Sequence, residues 1–506
     1  MSAVAGSTPV IIGVGQVSER VGEPGYTERS HMDLAGAALA AAIADAGATA
    51  PLAAAIDTVA AIRQFEQSAT RYVAPFGHAD NPPRAIARRV GADPARAVHE
   101  VVGGQSPQRL VGELAAEIAA GRSRLAAIAG AEALSTVRAL LGRGEMRDWS
   151  EEWGGTLEDR GPSYDGVVDM TAVRHGVGAP IGGYALAENV RRERLGLSLQ
   201  DYRLEIGRLF APFSQVAAGN PHSAAPTARS AGELAALTER NRLVAEPYGR
   251  LVVARDQVNQ GAAILIASVD EARRLGVPES RWVHIHAVTD CAEPPLLSRA
   301  DLEKSPAAVS AISSALELSG IGWENLSAID LYSCFAIPVF NLLDAFGLDR
   351  DDPRGWTLTG GLPFFGGAGN NYSAHGIAEA VARCRAAPGS HALVGANGGI
   401  MSKYAAGVYS TVPADWSESR WRSLGKIEPA FTVLDSHSGD ALAETFTIQP
   451  GKSGEVATLI ARVGTARVAA NSADLAVCAA LRQGRMSGRP VRIEPGEGGI
   501  NAFVFI

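Results

Sequence analysis

Residues 103–135 read GGQSPQRLVGELAAEIAAGRSRLAAIAGAEALS, and residues 367–402 read GAGNNYSAHGIAEAVARCRAAPGSHALVGANGGIMS. Both pass through a Gly loop, a helical stretch, a turn and an apolar strand that closes on Gly-Ala and then Ser. Gly104 is as far from Gly130 as Gly369 is from Gly395, a separation that suits the helix and strand of one βαβ crossover. A duplication at matched spacing constrains architecture more than local propensity does.

Working outward, Leu34 to Asp57 and Ala307 to Asp330 each form an Ala-rich helical period closing on Ala-Ile-Asp. An apolar stretch predicted as a strand follows each, TVAAI in the first and LYSCFAI in the second. Each copy also opens with a strand, PVIIGVG at 9–15 and RWVHIHAV at 281–288. The fold class expected is α/β, two copies of a mostly parallel sheet flanked by helices. Between the copies, 137–245 is rich in turn formers and aromatics, with one helical run at YALAENVRRERLG, and reads as an insertion. GAAILIAS at 261–268 resumes the first copy. The expected domains are therefore 1–136 with 246–275 (first half), 137–245 (covering loop domain), 276–414 (second half) and 415–506. That last segment holds short alternating strands, AETFTI, EVATLIARV, ARVAAN, PVRIE and AFVFI, interrupted by the helical SADLAVCAALRQG, and is expected to form a small β-barrel.

A chain of 506 residues is long enough for two or three domains. Its net charge of −8 speaks against general affinity for nucleic acid or an anionic membrane, leaving small-molecule chemistry as the expectation. Four scattered cysteines with no CxxC pair suggest neither a disulfide frame nor a zinc site, so no metal is expected and a reducing cytoplasm is. Met1 to Pro9 has no basic stretch before an apolar core, and no long apolar window occurs, so neither targeting nor anchoring is expected.

Each Gly loop leads into a helix start, where unpaired N–H groups and the macrodipole favour an anion or oxyanion, although glycine also serves a plain tight turn. No GxxxxGK[ST] is present, which excludes a Walker-type cradle. GVGQVS at 13–18 follows a strand but lacks the third Gly of a dinucleotide fingerprint.

The two-copy layout, the long insertion, AGAEALS at 129–135 and the Gly pair at 360–361 ahead of a loop and helix resemble the thiolase superfamily over residues 8–412. With the added β-rich tail they resemble its thiolase-like protein type 1 branch. The resemblance implies a duplicated thiolase fold, two βαβαβαββ halves in five α-β-α-β-α layers, an inserted loop domain and an OB-like C-terminal barrel. It also implies coenzyme A or acyl-CoA as ligand, a place in lipid metabolism, and a carbon–carbon bond made or broken by two cysteines, a histidine and an Asn or His. A thiol nucleophile of that kind needs a lowered pKa at a helix start.

On the family's pattern the nucleophile position falls on Gly103 or Gly104 in VVGGQSPQ, and the second cysteine's loop on Ala396-Asn397-Gly398. Neither carries a thiol, so the resemblance implies a protein that binds CoA and lacks thiolase activity. Ser106 is read as a helix N-cap or, alternatively, a serine nucleophile. The box around Tyr332-Ser333-Cys334-Phe335 puts Tyr332 at the oxyanion-binding position, and Asn371-Tyr372-Ser373 puts Tyr372 in place of the catalytic His, with His375 one turn on. Tyr332 also reads as a packed core aromatic, His375 as a helix histidine bonded to backbone, and Cys334 as a small buried apolar group. Arg191 and Arg192 lie where the family covers the CoA phosphates; the other reading is a solvated, mixed-charge helix face. The candidates are thus Tyr332, Tyr372 and His375 for catalysis, and Gly104, Ser106, Arg191, Arg192, Asn397 and Gly398 for CoA.

Two rival functions remain at this level: a retro-aldol or retro-Claisen lyase or acyltransferase on acyl-CoA using Tyr332 and Tyr372, and an interaction protein recruiting a partner through residues 415–506. That tail carries ten basic and ten acidic residues, so it lacks the positive groove a nucleic-acid strand requires. Thiolases imply a homodimer and the tailed branch a monomer.

Overall fold

The computed structural model describes residues 4–69, 73–162, 169–451 and 454–506. The first half runs β1 (Pro9–Ser18), α1 (His31–Ala46), β2 (Thr58–Ala61), α2 (Pro82–Arg88), β3 (Arg96–His99), α3 (Ser106–Ala119) and β4 (Leu125–Glu132). Local chemistry sets the limits of α1: Ser30 and Asp33 form a capping box, and Gly47 at φ 62° ends the helix. GVGQVS lies inside β1, where a Cβ on Gly13 or Gly15 would overlap the carbonyl oxygens of Ala42 or Ala38. These glycines let α1 pack close on the strand and form no loop.

The insertion holds α4 (Leu134–Gly142), β5 (Glu158–Asp159), α5 (Met170–Arg174), α6 (Pro180–Arg194), α7 (Leu199–Gly219), α8 (Ala231–Ala235) and the pair β6 (Leu243–Ala245) and β7 (Tyr248–Gly249). Its turn-rich composition conceals α7, whose residues Tyr202, Ile206, Leu209, Phe210, Phe213 and Ala217 recur at helical spacing and are buried. The chain returns as β8 (Gln260–Ser268) and α9 (Val269–Arg274).

The second half runs β9 (Val283–Ala292), α10 (Pro306–Ser319), β10 (Leu326–Asp330), α11 (Ile337–Phe346), α12 (Tyr372–Ala386), β11 (His391–Gly398) and β12 (Lys403–Ser410). The strand order β1-β8-β4-β2 of the first half is matched by β9-β12-β11-β10 in the second. The senses match too: two antiparallel pairings, then one parallel. The first sheet continues through β3 and β5, and the two sheets meet where Val10 and Ile11 pair with His284 and Val283.

The fold is mixed α/β in layers. One apolar core lies between α1, α2 and the outer face of the first sheet. A second fills the space between the sheets, where α3 and α12 lie. On α3, Leu110, Val111, Leu114, Ala115 and Ile118 repeat at helical spacing and are fully or almost fully buried. Each such leucine contributes about 1.5–3 kcal/mol. A third core joins α10, α11, α6 and α7.

Two expectations need correction. LYSCFAI is not a strand: β10 ends on Ala-Ile-Asp instead of following it. The buried Asp330 carboxylate accepts the backbone N–H of Leu358 at 2.7 Å and of Thr359 at 3.3 Å, and the Leu331 N–H bonds to the Trp356 carbonyl at 2.9 Å. The crossing segment thereby ends the strand, and Pro338 suits the first turn of α11. In the first half Asp57 instead precedes β2 and accepts from Arg124 and Leu125 backbone N–H groups. The two Ala-Ile-Asp motifs are therefore not structural equivalents.

The second correction concerns the tail. β13 (Trp421–Lys426) pairs in parallel with β9 and belongs to the main sheet, so the barrel begins later than the change in composition near 415. It comprises β14 (Thr432–Leu434), β15 (Gly439–Gly451), β16 (Gly454–Val463), β17 (Ala466–Ser472), α13 (Leu475–Gln483), β18 (Pro490–Glu494) and β19 (Ala502–Phe505). Five strands close in the order β17-β16-β15-β18-β19, with Asn471 pairing with Ala502, and β14 adds to β17. Phe446 and Phe503 fill the barrel core, while Phe431 and Phe505 lie under the guanidinium groups of Arg467 and Arg489.

Candidate functional site

The loop before α3, the end of β11 and the start of α12 converge between the sheets. Ser373 Oγ donates to the Gly104 carbonyl at 2.7 Å, and the Gly103 N–H donates to Asn370 Oδ1 at 3.0 Å. A Cβ on Gly398 would overlap Gln105 Oε1 and lie 3.2 Å from Gly103 Cα. The two Gly loops therefore touch each other.

Tyr332 and Tyr372 come together here. Their rings meet edge to face with centroids 5.1 Å apart, and both are buried. Tyr372, first residue of α12, shares a 2.6 Å hydrogen bond with Thr359 Oγ1, and Thr357 Oγ1 donates to Asp330 Oδ1 at 3.0 Å. Among the described residues the Tyr332 hydroxyl has no hydrogen-bond partner. It abuts Gly104: a Cβ there would overlap Tyr332 Oη and lie 2.5 Å from the Asn397 carbonyl oxygen.

Burial holds both phenols well above the ordinary tyrosine range. Near pH 7 they are neutral donors and not bases. Burial likewise pushes Asp330 up to about 6, against the hydrogen bonds from Leu358, Thr359 and Thr357.

His375 joins neither tyrosine by a hydrogen bond. Its Nδ1 lies 2.7 Å from Gln16 Oε1, so the ring is bonded to a side chain of β1 and not to backbone. Burial lowers its pKa to about 3, and Nε2 is buried without a partner among the described residues. Asn397 donates through Nδ2 to Tyr184 Oη at 2.8 Å, with Cys334 Sγ 3.7 Å from the same nitrogen. Burial pushes the Cys334 thiol up to about 12, the reverse of nucleophile activation. All four cysteines are buried and free.

Ser106 is not an N-cap. It is the first residue of α3, fully buried, and donates to the Val101 carbonyl at 3.0 Å. Arg191 and Arg192 form neither a solvated face nor an open phosphate site. Arg191 pairs with Asp344 at 2.9 and 3.0 Å and lies 3.9 Å from the Phe340 ring centroid. Arg192 donates to Asn189 Oδ1 and to the Leu197 carbonyl, both at 3.0 Å. Both are held by protein partners because α6 is buried against α11 and the barrel.

Sequence reasoning missed Tyr184, Thr359, Asp330 and Gln105. Tyr184 comes from α6 and stacks on Phe335 at 4.4 Å; its only sequence signal was its place at the head of an apolar helical run. Among the described residues no three His, Cys, Asp or Glu groups form a metal site, and no helix is long and apolar enough to cross a membrane. In sum the site can offer hydrogen-bond donors to an oxygen but no activated thiol.

No protein-family model and no curated protein matches the sequence. Among solved structures, a monomeric SCP2-thiolase-like protein type 1 from Mycobacterium smegmatis is 44% identical over 100% of both chains, with a TM-score of 0.84. An Ltp2–ChsH2(DUF35) aldolase, 19% identical with a TM-score of 0.57, covers 80% of this chain and 98% of its own. An acetyl-CoA acetyltransferase from Syntrophomonas wolfei, 17% identical with a TM-score of 0.56, covers 80% and 99%. These two share the fold alone. The full-length match, together with the duplicated sheet and the closed barrel behind it, shows that this chain belongs to the SCP2-thiolase-like proteins of type 1.

Proposed function

We propose that this protein binds coenzyme A or an acyl-CoA and does not carry out thiolase chemistry. The fit of Tyr332 against Gly104 carries the reading. At the start of α3, where the family's nucleophile would project, the phenol oxygen and the Asn397 carbonyl fill the volume that any side chain would need. The remaining thiol nearby, Cys334, is held protonated by burial. Ligand affinity has to come from groups other than Arg191 and Arg192, so a modest one is expected. As in the monomeric relative, a monomer is expected, and the protein's work is placed in the cytoplasm, on acyl-CoA of lipid metabolism.

Calorimetric titration of CoA and acetyl-CoA tests this. Saturable binding with Kd between about 1 μM and about 1 mM is expected; absence of binding of either compound at several-fold higher concentration contradicts the ligand assignment.

A second reading, a retro-aldol or retro-Claisen step on acyl-CoA, draws on the edge-to-face pairing of Tyr332 and Tyr372 and on the aldolase among the fold neighbours. It requires both hydroxyls on one substrate oxygen. The Tyr372 hydroxyl is engaged by Thr359, which leaves Tyr332 as the available donor and makes this the weaker reading.

A further inference from the structure

A cavity of about 490 Å³, whose described lining includes neither Tyr332 nor Tyr372, is lined in part by residues at or just beyond the ends of parallel strands. Arg63 lies two residues beyond β2, His99 ends β3 and Asp159 ends β5. In open α/β sheets ligands bind outside the carboxyl ends of strands, and the volume suits a small metabolite. Asn370 marks the boundary with the Gly loop: its Nδ2 donates to the Arg63 carbonyl at 2.8 Å while its Oδ1 accepts from Gly103.

The lining is rich in acceptors. The Glu66 carboxylate has no arginine, lysine or hydrogen-bond donor as partner among the described residues. Burial raises it above the usual carboxylate range, with only His78 opposing. His99 is 3% exposed and its Nε2 has no partner among the described residues. Burial and the nearby Arg63 lower its pKa to about 3, so the ring is neutral and offers one acceptor nitrogen. Gln67 Oε1 is also unpartnered. His78 Nδ1 lies 3.1 Å from the Ala79 carbonyl and donates to it, leaving Nε2 to accept when the ring is neutral.

Among the described lining residues the one arginine, Arg63, is ion-paired with Asp159 and donates through Nε to the Glu100 carbonyl. Asp80 is already held by the backbone N–H groups of Trp153 and Gly154. Among the described lining residues three acids stand beside one arginine, a balance that suits a cation better than an anion.

We infer that this cavity binds a small organic cation bearing N–H donors, a primary ammonium or a guanidinium, seated on the Glu66 carboxylate. The site is independent of the CoA reading, and either can fail without the other.

The test is titration of the full-length protein with putrescine and agmatine, followed by NMR line positions, with 1,4-butanediol and succinate as neutral and anionic counterparts. Saturable binding of either amine with Kd of roughly 1 mM or tighter is expected, with no saturation by the diol or succinate. Glu66→Gln, at a half-buried position, is expected to keep the melting temperature and weaken the amine by about tenfold or more. Failure of both amines to bind, equal binding of the diol, tighter binding of succinate, or unchanged amine affinity in Glu66→Gln each overturns the inference.

Discussion

At the scale of single residues, Gly104 and Tyr332 behave as one unit, the absence of a side chain on one making room for the hydroxyl of the other. Gly104→Ala forces either the phenol or the end of β11 to shift, and the second is backbone. An overpacked buried site of this kind is destabilised by about 1–3 kcal/mol. Denaturant unfolding of the purified variant should show that loss; a change below about 0.5 kcal/mol would mean the contact relaxes freely. The glycine was legible in the repeat, which aligns Gly104 with Gly369, and the resemblance pointed to Tyr332. Their contact was not legible, because it joins residues far apart in the chain and depends on β10 stopping at Asp330. The same applies to His375, whose place on α12 was readable while its partner Gln16, on a strand of the other half, was not.

At the scale of elements, the periodic segments were the legible ones. The tail strands and α13 carry clear period-2 and period-3.6 patterns, and the structure forms each of them. What was hidden is settled by tertiary contact: LYSCFAI has strand composition but loses its ladder position to 356–359, and Trp421–Lys426 becomes a strand only because β9 offers it an edge. Glu132 at the end of β4 shows how an element end stores a titration. It is fully buried, accepts the Phe65 N–H at 2.7 Å, and burial pushes its pKa up to about 8. The folded state thus holds the proton more tightly than the unfolded chain. The stability this confers is complete below the ordinary carboxylate range, near 4.5, and is lost as pH rises through about 8. Glu132→Gln should flatten the dependence of unfolding free energy on pH across that window and gain on the wild type by about 1 kcal/mol or more at its upper end. Parallel pH profiles for the two proteins would show that Glu132 does not titrate there.

At the scale of the whole molecule, the barrel is joined to the rest of the chain by buried hydrogen bonds and an ion pair. Asn189 on α6 donates to the Phe446 carbonyl at 3.0 Å, and Thr445 Oγ1 donates to the Leu186 carbonyl at 2.7 Å. The buried Arg467 donates to the Leu297 carbonyl at 3.1 Å, while Arg482 reaches Glu246 at 2.9 Å. Removing residues 415–506 would strip β13 from β9 and leave Glu246 without Arg482 and Glu193 without its bonds to the Met486 and Ser487 N–H groups. Glu246 keeps Arg203 and Glu193 keeps Arg192, but each charge-assisted hydrogen bond lost costs about 1.5–3 kcal/mol, and the apolar surface under the barrel is exposed as well. The truncated chain is expected to aggregate or to melt without cooperativity by circular dichroism; a monomer with the wild-type transition would contradict this picture of the barrel. The partner-recruiting role considered for the tail is therefore better tested by surface substitutions than by deletion.

The thiolase framework of this protein presents, at its helix start, glycine and a neutral phenol in place of an ionisable sulfur. Thiolysis of acetoacetyl-CoA by the purified full-length protein, followed as loss of the β-keto thioester with free CoA present, tests that most directly. No turnover above the protein-free rate is predicted. A turnover number in the range of about 1–1000 per second that enzymes commonly reach would contradict it.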